Sequence, residues 1–185
     1  MRTNIYVDSK FNFNFRDNMN GSVIYIMGVS GSGKTLIGQK LSRATGIPFF
    51  DGDDFHSTAN KKKMQEGYPL TDEDREEWLM AINHLAKNEA GKKGAIIACS
   101  ALKEKYRLLL SQDINTLVHW VFLQGDFQLI NERIQARKDH FMPALLLESQ
   151  FETLEIPRHA IVIDIANSPG RIIEEIIKRL NLRPE

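Results

Sequence analysis

One stretch of eight residues constrains the fold of this chain more than any other part of its sequence. It follows an apolar run at 23–27, opens a segment with helical periodicity, and matches the pattern G-x-x-x-x-G-K-[ST]. Glycines let successive backbone N–H groups turn inward around phosphate oxygens, and the N-terminus of the following helix adds partial positive charge. The residues are Gly28, Val29, Ser30, Gly31, Ser32, Gly33, Lys34 and Thr35. The pattern predicts a nucleoside triphosphate site in which Lys34 reaches the β- and γ-phosphates and Thr35 ligates Mg²⁺.

Apolar runs and helical patterns alternate along the rest of the chain. Runs of strand composition lie at 23–27, 47–50, 95–99, 117–123 and 160–165, and helical patterns lie at 34–44, 72–89, 102–111, 127–138 and 170–180. Near-continuous Val and Ile runs are typical of parallel strands that are buried on both faces. The alternation therefore predicts an α/β fold, with a parallel sheet and right-handed helical crossovers on both of its sides.

Composition and charge narrow the class of protein. The chain has 185 residues with 24 Lys+Arg and 24 Asp+Glu, so its formal net charge is zero. A dedicated nucleic-acid binder or a membrane-surface protein normally carries a basic excess, so neither kind of partner is expected. The one cysteine, Cys99, cannot form an internal disulfide, and no apolar stretch is long enough for a signal peptide or a spanning helix. We expect a cytoplasmic protein with an N-terminal extension at 1–20 and a single domain at 21–185.

Two connections between the apolar runs are unusually long. Residues 51–94 separate the second run from the third, whereas a parallel crossover needs only about a dozen residues. An insert at about 52–92 therefore carries more than one helix. Because it follows the carboxyl end of a strand, it is a candidate for substrate recognition. A second insert, at about 138–150, is a candidate for a mobile lid.

Acidic residues follow the second apolar run rather than the third. The sequence lacks the N-K-x-D segment with which a GTPase switch reads its base, and residues 98–100 lack the acid of a typical motor ATPase. Asp51 and Asp53 are two residues apart at the carboxyl end of a predicted strand and would face the phosphate loop. One can hold the water shell of Mg²⁺, and the other can accept the proton of an attacking hydroxyl. A plain polar turn, with Asp54 as a helix cap, is the alternative interpretation.

Three arginines are candidates for binding anions. Arg75 follows a T-D-E-D segment that resembles a capping box, so it either pairs with neighbouring acids inside the new helix or binds an anionic substrate. Arg133 and Arg137 are four residues apart, which places them on one helical face at the start of the second insert. They favour a lid that brings positive charge onto a transferring phosphoryl group and excludes water, although pairing with adjacent surface acids is the alternative.

Four blocks of sequence together resemble the gluconate kinases, small P-loop carbohydrate kinases related to shikimate kinase and the nucleoside monophosphate kinases. The first block is the phosphate loop, and the resemblance covers about residues 22–180. The second block is D-G-D-x-x-H at 51–56 followed by N-x-x-K-M-x-x-G-x-P-L-x-D-x-D-R-x-x-W-L at 60–79. The third is A-C-S-A-L-K-x-x-Y-R at 98–107, and the fourth is R-x-x-x-R-x-x-H-F-M-P at 133–143 followed by S-Q-F-x-T-L-E at 149–155.

The resemblance implies phosphorylation of D-gluconate by ATP with Mg²⁺, giving 6-phosphogluconate and ADP. It also implies a P-loop kinase fold, with three α/β/α layers and a five-stranded parallel sheet, and a homodimer. In the resemblance, Asp53 is the base at the substrate hydroxyl, Asp51 holds Mg²⁺ indirectly, and Arg75 binds the gluconate carboxylate. Arg133 is then expected near the nucleotide and Arg137 on the phosphoryl group. His56, Lys63 and Gln150 become secondary substrate contacts.

Two other functions fit parts of the pattern. Another small-molecule kinase, for shikimate or a nucleotide, would share the phosphate loop but differ in its acceptor. A nucleotide-dependent regulator would bind ATP without forming a product, although the intact acidic and arginine positions argue against it.

Overall fold

A parallel five-stranded sheet forms the centre of the molecule. The computed structural model describes residues 21–136 and 144–183, so the expectations for the extension at 1–20 and for Arg137 lie outside the described residues. The strands are β1 (Val23–Met27), β2 (Phe49–Asp51), β3 (Ala95–Ala98), β4 (Val118–Gln124) and β5 (Ile161–Asp164). Their order in the sheet is β2-β3-β1-β4-β5, and each neighbouring pair is parallel. The predicted α/β fold with a five-stranded parallel sheet is confirmed.

Seven α-helices connect these strands within the described residues. They are α1 (Lys34–Thr45), α2 (Thr58–Gln65), α3 (Asp72–Glu89), α4 (Glu104–Leu110), α5 (Phe127–Gln135), α6 (Ala144–Thr153) and α7 (Pro169–Leu180). Short 3-10 turns occupy Gly52–Phe55 and Asn115–Leu117. None of the helices in this part of the chain has the length and the apolar character needed to cross a lipid bilayer.

Some element boundaries differ from the sequence-based prediction for identifiable reasons. Asp51 belongs to β2 itself, because it pairs in register with Ala98 of β3. The helix predicted at 102–111 begins only at Glu104, because Lys103 has an extended backbone, with φ of -95° and ψ of 149°, and so stands at the N-cap. Helix α3 begins where the capping box predicted it, since the Thr71 side chain and the Asp74 side chain each accept a hydrogen bond from the other residue's backbone.

Strand β1 divides the core into two layers because its residues alternate between the two faces of the sheet. All five of its residues are fully buried. Ile24 and Ile26 join an apolar cluster with residues of α1 and α7 on one face. Tyr25 joins a second cluster with residues of α3 and α4 on the other face. A strand buried on both sides explains why its sequence is a continuous apolar run.

The carboxyl edge of the sheet gathers the loops that carry chemistry. The phosphate loop follows β1 at the centre of the sheet, the acidic turn follows β2, and residues 99–103 follow β3 between them. The backbone N–H of Gly28 donates to the Ser100 carbonyl at 3.4 Å, which joins two of these loops. In an open parallel sheet, ligands usually bind at this edge, at the point where the connections from neighbouring strands turn to opposite sides of the sheet.

Candidate active site

The phosphate loop has the backbone geometry that its sequence predicts. Gly31 and Gly33 have φ angles of 81° and 97°, in the left-handed region that favours glycine. Gly28 lies so close to the neighbouring strand that an added Cβ would stand 2.8 Å from the Leu123 carbonyl oxygen. No side chain of the described residues caps α1 at Gly33, so the first N–H groups of this helix are open to an anion. The loop therefore fits the phosphates of a nucleotide.

Lys34 and Thr35 begin α1 and extend this loop toward β2. The Lys34 ammonium donates to the Val29 carbonyl at 3.1 Å, which folds its side chain back over the loop. The Thr35 hydroxyl donates to Asp51 Oδ2 at 2.7 Å, and Asp51 Oδ1 accepts the backbone N–H of Asp53 at 3.1 Å. Hydroxyl and carboxylate oxygens are the ligands that Mg²⁺ favours, directly or through water. Among the described residues no group of three or more His, Cys, Asp or Glu is placed to hold a metal ion.

A cleft of about 690 Å³ joins the phosphate loop to the insert. Its walls come from the phosphate loop, the acidic turn, α2, α3, the segment after β3, α4 and α6. Its lining includes Ser30, Lys34, Asp53, His56, Arg75, Ser100, Lys103, Tyr106 and Gln150. Six of the predicted site residues thus line one cleft, although they come from distant parts of the chain. They are Ser30, Lys34, Asp53, His56, Arg75 and Gln150.

The buried thiol of Cys99 is a second sign that residues from separate segments come together here. Cys99 is fully buried at the end of β3, and burial raises the pKa of its thiol to about 12. The charges of Asp53, Lys34 and Arg75 all act on this thiol as smaller influences. Three predicted residues from three separate segments therefore lie near enough for their charges to act on one buried side chain.

Arg75 and His56 present unpaired polar atoms to the cleft. Within the described residues, Arg75 Nε and His56 Nδ1 are buried without a hydrogen-bond partner. The Arg75 Nη2 donates to the Leu70 carbonyl at 3.3 Å, and its guanidinium lies 5.7 Å from the centre of the Tyr106 ring. Burial, together with the positive charges of Arg75 and Lys61, lowers the pKa of His56 to about 4. Unpaired buried donors and acceptors cost free energy, and a polar ligand bound in the cleft would offset part of that cost.

An ion cluster around Asp72 was not predicted from the sequence. The Asp72 carboxylate accepts hydrogen bonds from Lys103 at 2.9 Å, from Lys105 at 2.5 Å and from the Tyr106 hydroxyl. These bonds, that of Lys105 first, hold the pKa of Asp72 well below its usual range. Burial and the bond to Asp72 raise the pKa of Tyr106 to about 12. The cluster ties the start of α3 to α4, and the only sequence signal for it is the K-x-x-Y spacing of the third block.

Three other predicted site residues, Gln150, Arg133 and Lys63, lie on three different helices, α6, α5 and α2. Gln150 on α6 contacts the phosphate loop: its Oε1 accepts the Ser30 N–H at 2.7 Å, and its Nε2 donates to the Ser30 hydroxyl at 3.3 Å. Arg133 on α5 donates to the Ile165 carbonyl at 2.7 Å, beside the loop that follows β5. Lys63 is not among the described side chains that line the cleft, because its ammonium pairs with Asp74 at 2.5 Å.

Comparison with known proteins identifies the family. A model of the shikimate kinase family matches residues 30–181. A probable gluconokinase from Dictyostelium discoideum is 44% identical over 171 residues, which cover 85% of this chain and 86% of that protein. The thermosensitive gluconokinase of Escherichia coli K12 is 43% identical over 166 residues, with the same two coverages. The chain belongs to the gluconokinase family.

The fold of the gluconokinase family agrees with this assignment. A gluconokinase crystal structure from Sinorhizobium meliloti 1021 matches with a TM-score of 0.80 at 40% identity, covering 88% of this chain and 93% of that one. Membership of a kinase family implies that ATP is the phosphoryl donor.

Proposed function

We propose that this chain transfers the γ-phosphoryl group of ATP to D-gluconate, giving 6-phosphogluconate and ADP. The observation that carries the proposal is the single cleft in which the phosphate loop and Asp53 face Arg75, whose buried Nε has no partner among the described residues. A kinase for a sugar acid needs this arrangement, since one end of its acceptor is a hydroxyl and the other a carboxylate. The names and the 37–44% identity of the gluconokinase relatives support the same acceptor.

The nucleotide half of the proposal rests on the loop at 28–35 and on Arg133, which would lie near the nucleotide. The backbone N–H groups from Gly28 to Thr35 would surround the phosphates, and Lys34 would move from the Val29 carbonyl onto them. Thr35 would ligate Mg²⁺ while Asp51 holds the water shell of the metal, in agreement with their 2.7 Å contact. When bound, Mg²⁺ neutralises the charge that develops on the phosphate oxygens.

The acceptor half rests on the acidic turn and the insert. Asp53 would accept the proton of the terminal hydroxyl as its oxygen bonds to the γ-phosphorus and the bond to the ADP oxygen breaks. Arg75 would hold the gluconate carboxylate, and neutral His56 would bond a substrate hydroxyl through Nδ1. Gln150 would contact the substrate beside Ser30. Lys63 would act through Asp74, whose pKa its ammonium lowers to about 2, rather than by direct contact.

Three further parts of the proposal rest on the sequence alone. Arg137 would place its charge on the phosphoryl group when a lid at about 138–150 closes. The resemblance to gluconokinases supports a homodimer, which sedimentation equilibrium would test. A cytoplasmic location stays a prediction from the sequence, and microscopy of the tagged full chain would test it.

The test is ADP release from ATP and Mg²⁺ by the purified full chain with several acceptors in parallel. D-gluconate, shikimate, glucose, AMP and a reaction without acceptor form the panel. Release with gluconate alone, together with detection of 6-phosphogluconate, is the expected result. Release with a different acceptor would overturn the substrate but keep the phosphotransfer. Folded protein that binds ATP and releases no ADP with any acceptor would overturn the enzymatic function.

A further inference from the structure

The sequence pattern assigns Trp78 to the apolar stripe of α3, but its contacts reach into the site. We propose that Trp78 is a positioning residue for the phosphotransfer described above: it fixes the acidic turn and His56 relative to the phosphate loop. This inference rests on the proposed function for its kinetic consequences but not for its geometry. Trp78 is almost completely buried, as a core residue would be, and it lines no part of the cleft itself.

The first contact is a hydrogen bond to the backbone between the two carboxylates. The Trp78 Nε1–H donates to the Gly52 carbonyl at 2.7 Å, in a buried position and across 26 residues of sequence. Gly52 stands between Asp51, which contacts Thr35, and Asp53, which lines the cleft. A buried tryptophan N–H requires a partner, so the bond both satisfies the indole and fixes this peptide.

The surroundings of Gly52 leave this peptide little room to move. A Cβ on Gly52 would stand 2.5 Å from the Ala98 carbonyl oxygen and 3.2 Å from Ile82 Cδ1. The turn is therefore pressed between the end of β3 and the same helix that carries Trp78. Loss of the indole would open space on the α3 side, where a shift of the turn changes the position of Asp53.

The second contact is with the other end of the same turn. The His56 imidazole stacks on the Trp78 indole, with ring centres 4.2 Å apart and ring planes 13° from parallel. The His56 backbone N–H also donates to the Asp53 carbonyl at 3.4 Å, so ring and backbone are both tied to the turn. Stacking holds the imidazole so that its buried, unpartnered Nδ1 keeps one orientation at the cleft wall. One side chain thus contacts both ends of the segment 52–56.

The chain offers a matched control, because it contains two tryptophans. Trp120 on β4 stacks on Tyr25, with ring centres 4.5 Å apart and planes 15° from parallel. It has the same kind of aromatic neighbour and does not line the cleft. W120F therefore makes the same exchange of an indole for a phenyl ring beside a stacked aromatic neighbour, without touching the turn. W78F fills part of the same volume but lacks the N–H that holds Gly52.

Steady-state kinetics with ATP and gluconate, together with thermal unfolding, test the proposal. W78F should lose about tenfold to a hundredfold in kcat, since a displacement of about 1 Å at a reacting group has effects of this size, while the KM for ATP stays within about twofold. W120F should keep kcat within about twofold of the wild type at a comparable Tm. A folded W78F with kcat within twofold of the wild type, or an equal loss in W120F, would overturn the positioning role.

Two further measurements keep the result interpretable. If gluconate is not phosphorylated by the wild type, the proposed function fails first, and the crystal structure of W78F then tests the geometry directly. A turn at 52–56 that superposes on the wild type overturns the inference, and a displaced Asp53 supports it. If W78F does not fold, the fluorescence of W120F, in which Trp78 is the remaining tryptophan, is measured as saturating gluconate is added. A change in emission supports coupling of Trp78 to the occupied cleft through the turn and His56, and an unchanged spectrum overturns the positioning role.

Discussion

The two turns at the centre of the cleft are built in different ways. The phosphate loop after β1 obtains its shape from its own backbone, through left-handed glycines at 31 and 33 and the open N-terminus of α1. The acidic turn after β2 obtains its shape from side chains elsewhere in the chain. Its Asp51 contacts Thr35 of α1, and its Gly52 carbonyl contacts Trp78 of α3.

This difference separates the two halves of the site. The centre of the nucleotide half, the phosphate loop, is encoded in eight consecutive residues, to which Asp51 and Gln150 add contacts from β2 and α6. The acceptor half is assembled from α3, the segment after β3 and α6, so it exists only once the sheet has brought these elements together. A substitution in the nucleotide half should therefore impair the binding or transfer of the phosphates. A substitution in the acceptor half should impair the binding or reaction of the acceptor.

The largest expected effect follows loss of the positive charge in the nucleotide half. K34M should lower kcat by about a thousandfold or more, because a preorganised charge at the transferring phosphate stabilises the transition state. Its Tm should stay close to that of the wild type, since Lys34 lines the cleft and its ammonium donates to the Val29 carbonyl of the same loop. K40M, which removes an exposed lysine from the same helix α1, is the matched control in an ADP-release assay. Equal activity of K34M and K40M would remove Lys34 from the mechanism.

The next effect follows loss of the proposed base in the acceptor half. D53N should lower kcat by about a hundredfold or more while leaving the KM for ATP within a few-fold, because a general base contributes to the chemical step alone. D54N changes the adjacent exposed carboxylate of the same turn, and it should retain most of the activity. Normal turnover of D53N with gluconate would exclude Asp53 as the base and leave the nucleotide half intact.

The division between local and distant encoding also explains what the sequence predicts. The phosphate loop and the start of α3 follow from local patterns, a glycine motif and a capping box, and both appear where expected. The Asp72 cluster does not, because its partners lie 31 to 34 residues further along the chain. Helix α6 has no strong periodic pattern in its sequence, so the sequence predicts residues 144–150 only as part of a lid.

Trp78 shows most clearly what the hydrophobic periodicity of a helix cannot predict. Its position in the apolar stripe of α3 correctly predicts burial, and the same position equally suits leucine or phenylalanine. Nothing in the spacing indicates that its N–H bonds the carbonyl between Asp51 and Asp53. Arg75 is a parallel case, because the sequence leaves open whether it pairs with neighbouring acids. The structure instead gives it a backbone carbonyl and a buried Nε without a described partner.

A smaller effect is expected where the acceptor half recognises an anion. R75K keeps the positive charge but loses the planar fork that binds a carboxylate through two hydrogen bonds, so the KM for gluconate should rise by about tenfold or more. The KM for ATP should change little, because Arg75 belongs to the acceptor half. R43K, at an exposed position of α1, controls for the substitution itself. A parallel rise in both KM values would show that the two halves are not separable at this residue.

The smallest expected effect concerns stability and again belongs to the acceptor half. His56 has a pKa of about 4 in the folded chain, lowered mainly by burial, against an ordinary value of 6.5. The unfolded chain therefore binds a proton at His56 as the pH falls below 6.5, and the folded chain does not until about 4. The free energy of unfolding should fall by about 1 kcal/mol between pH 7 and pH 5.5 through this group alone. H56Q should remove that part of the pH dependence in denaturant titrations. Identical slopes for H56Q and the wild type would show that the imidazole is not held neutral against Trp78, and the acceptor half would then lack its neutral hydrogen-bond acceptor.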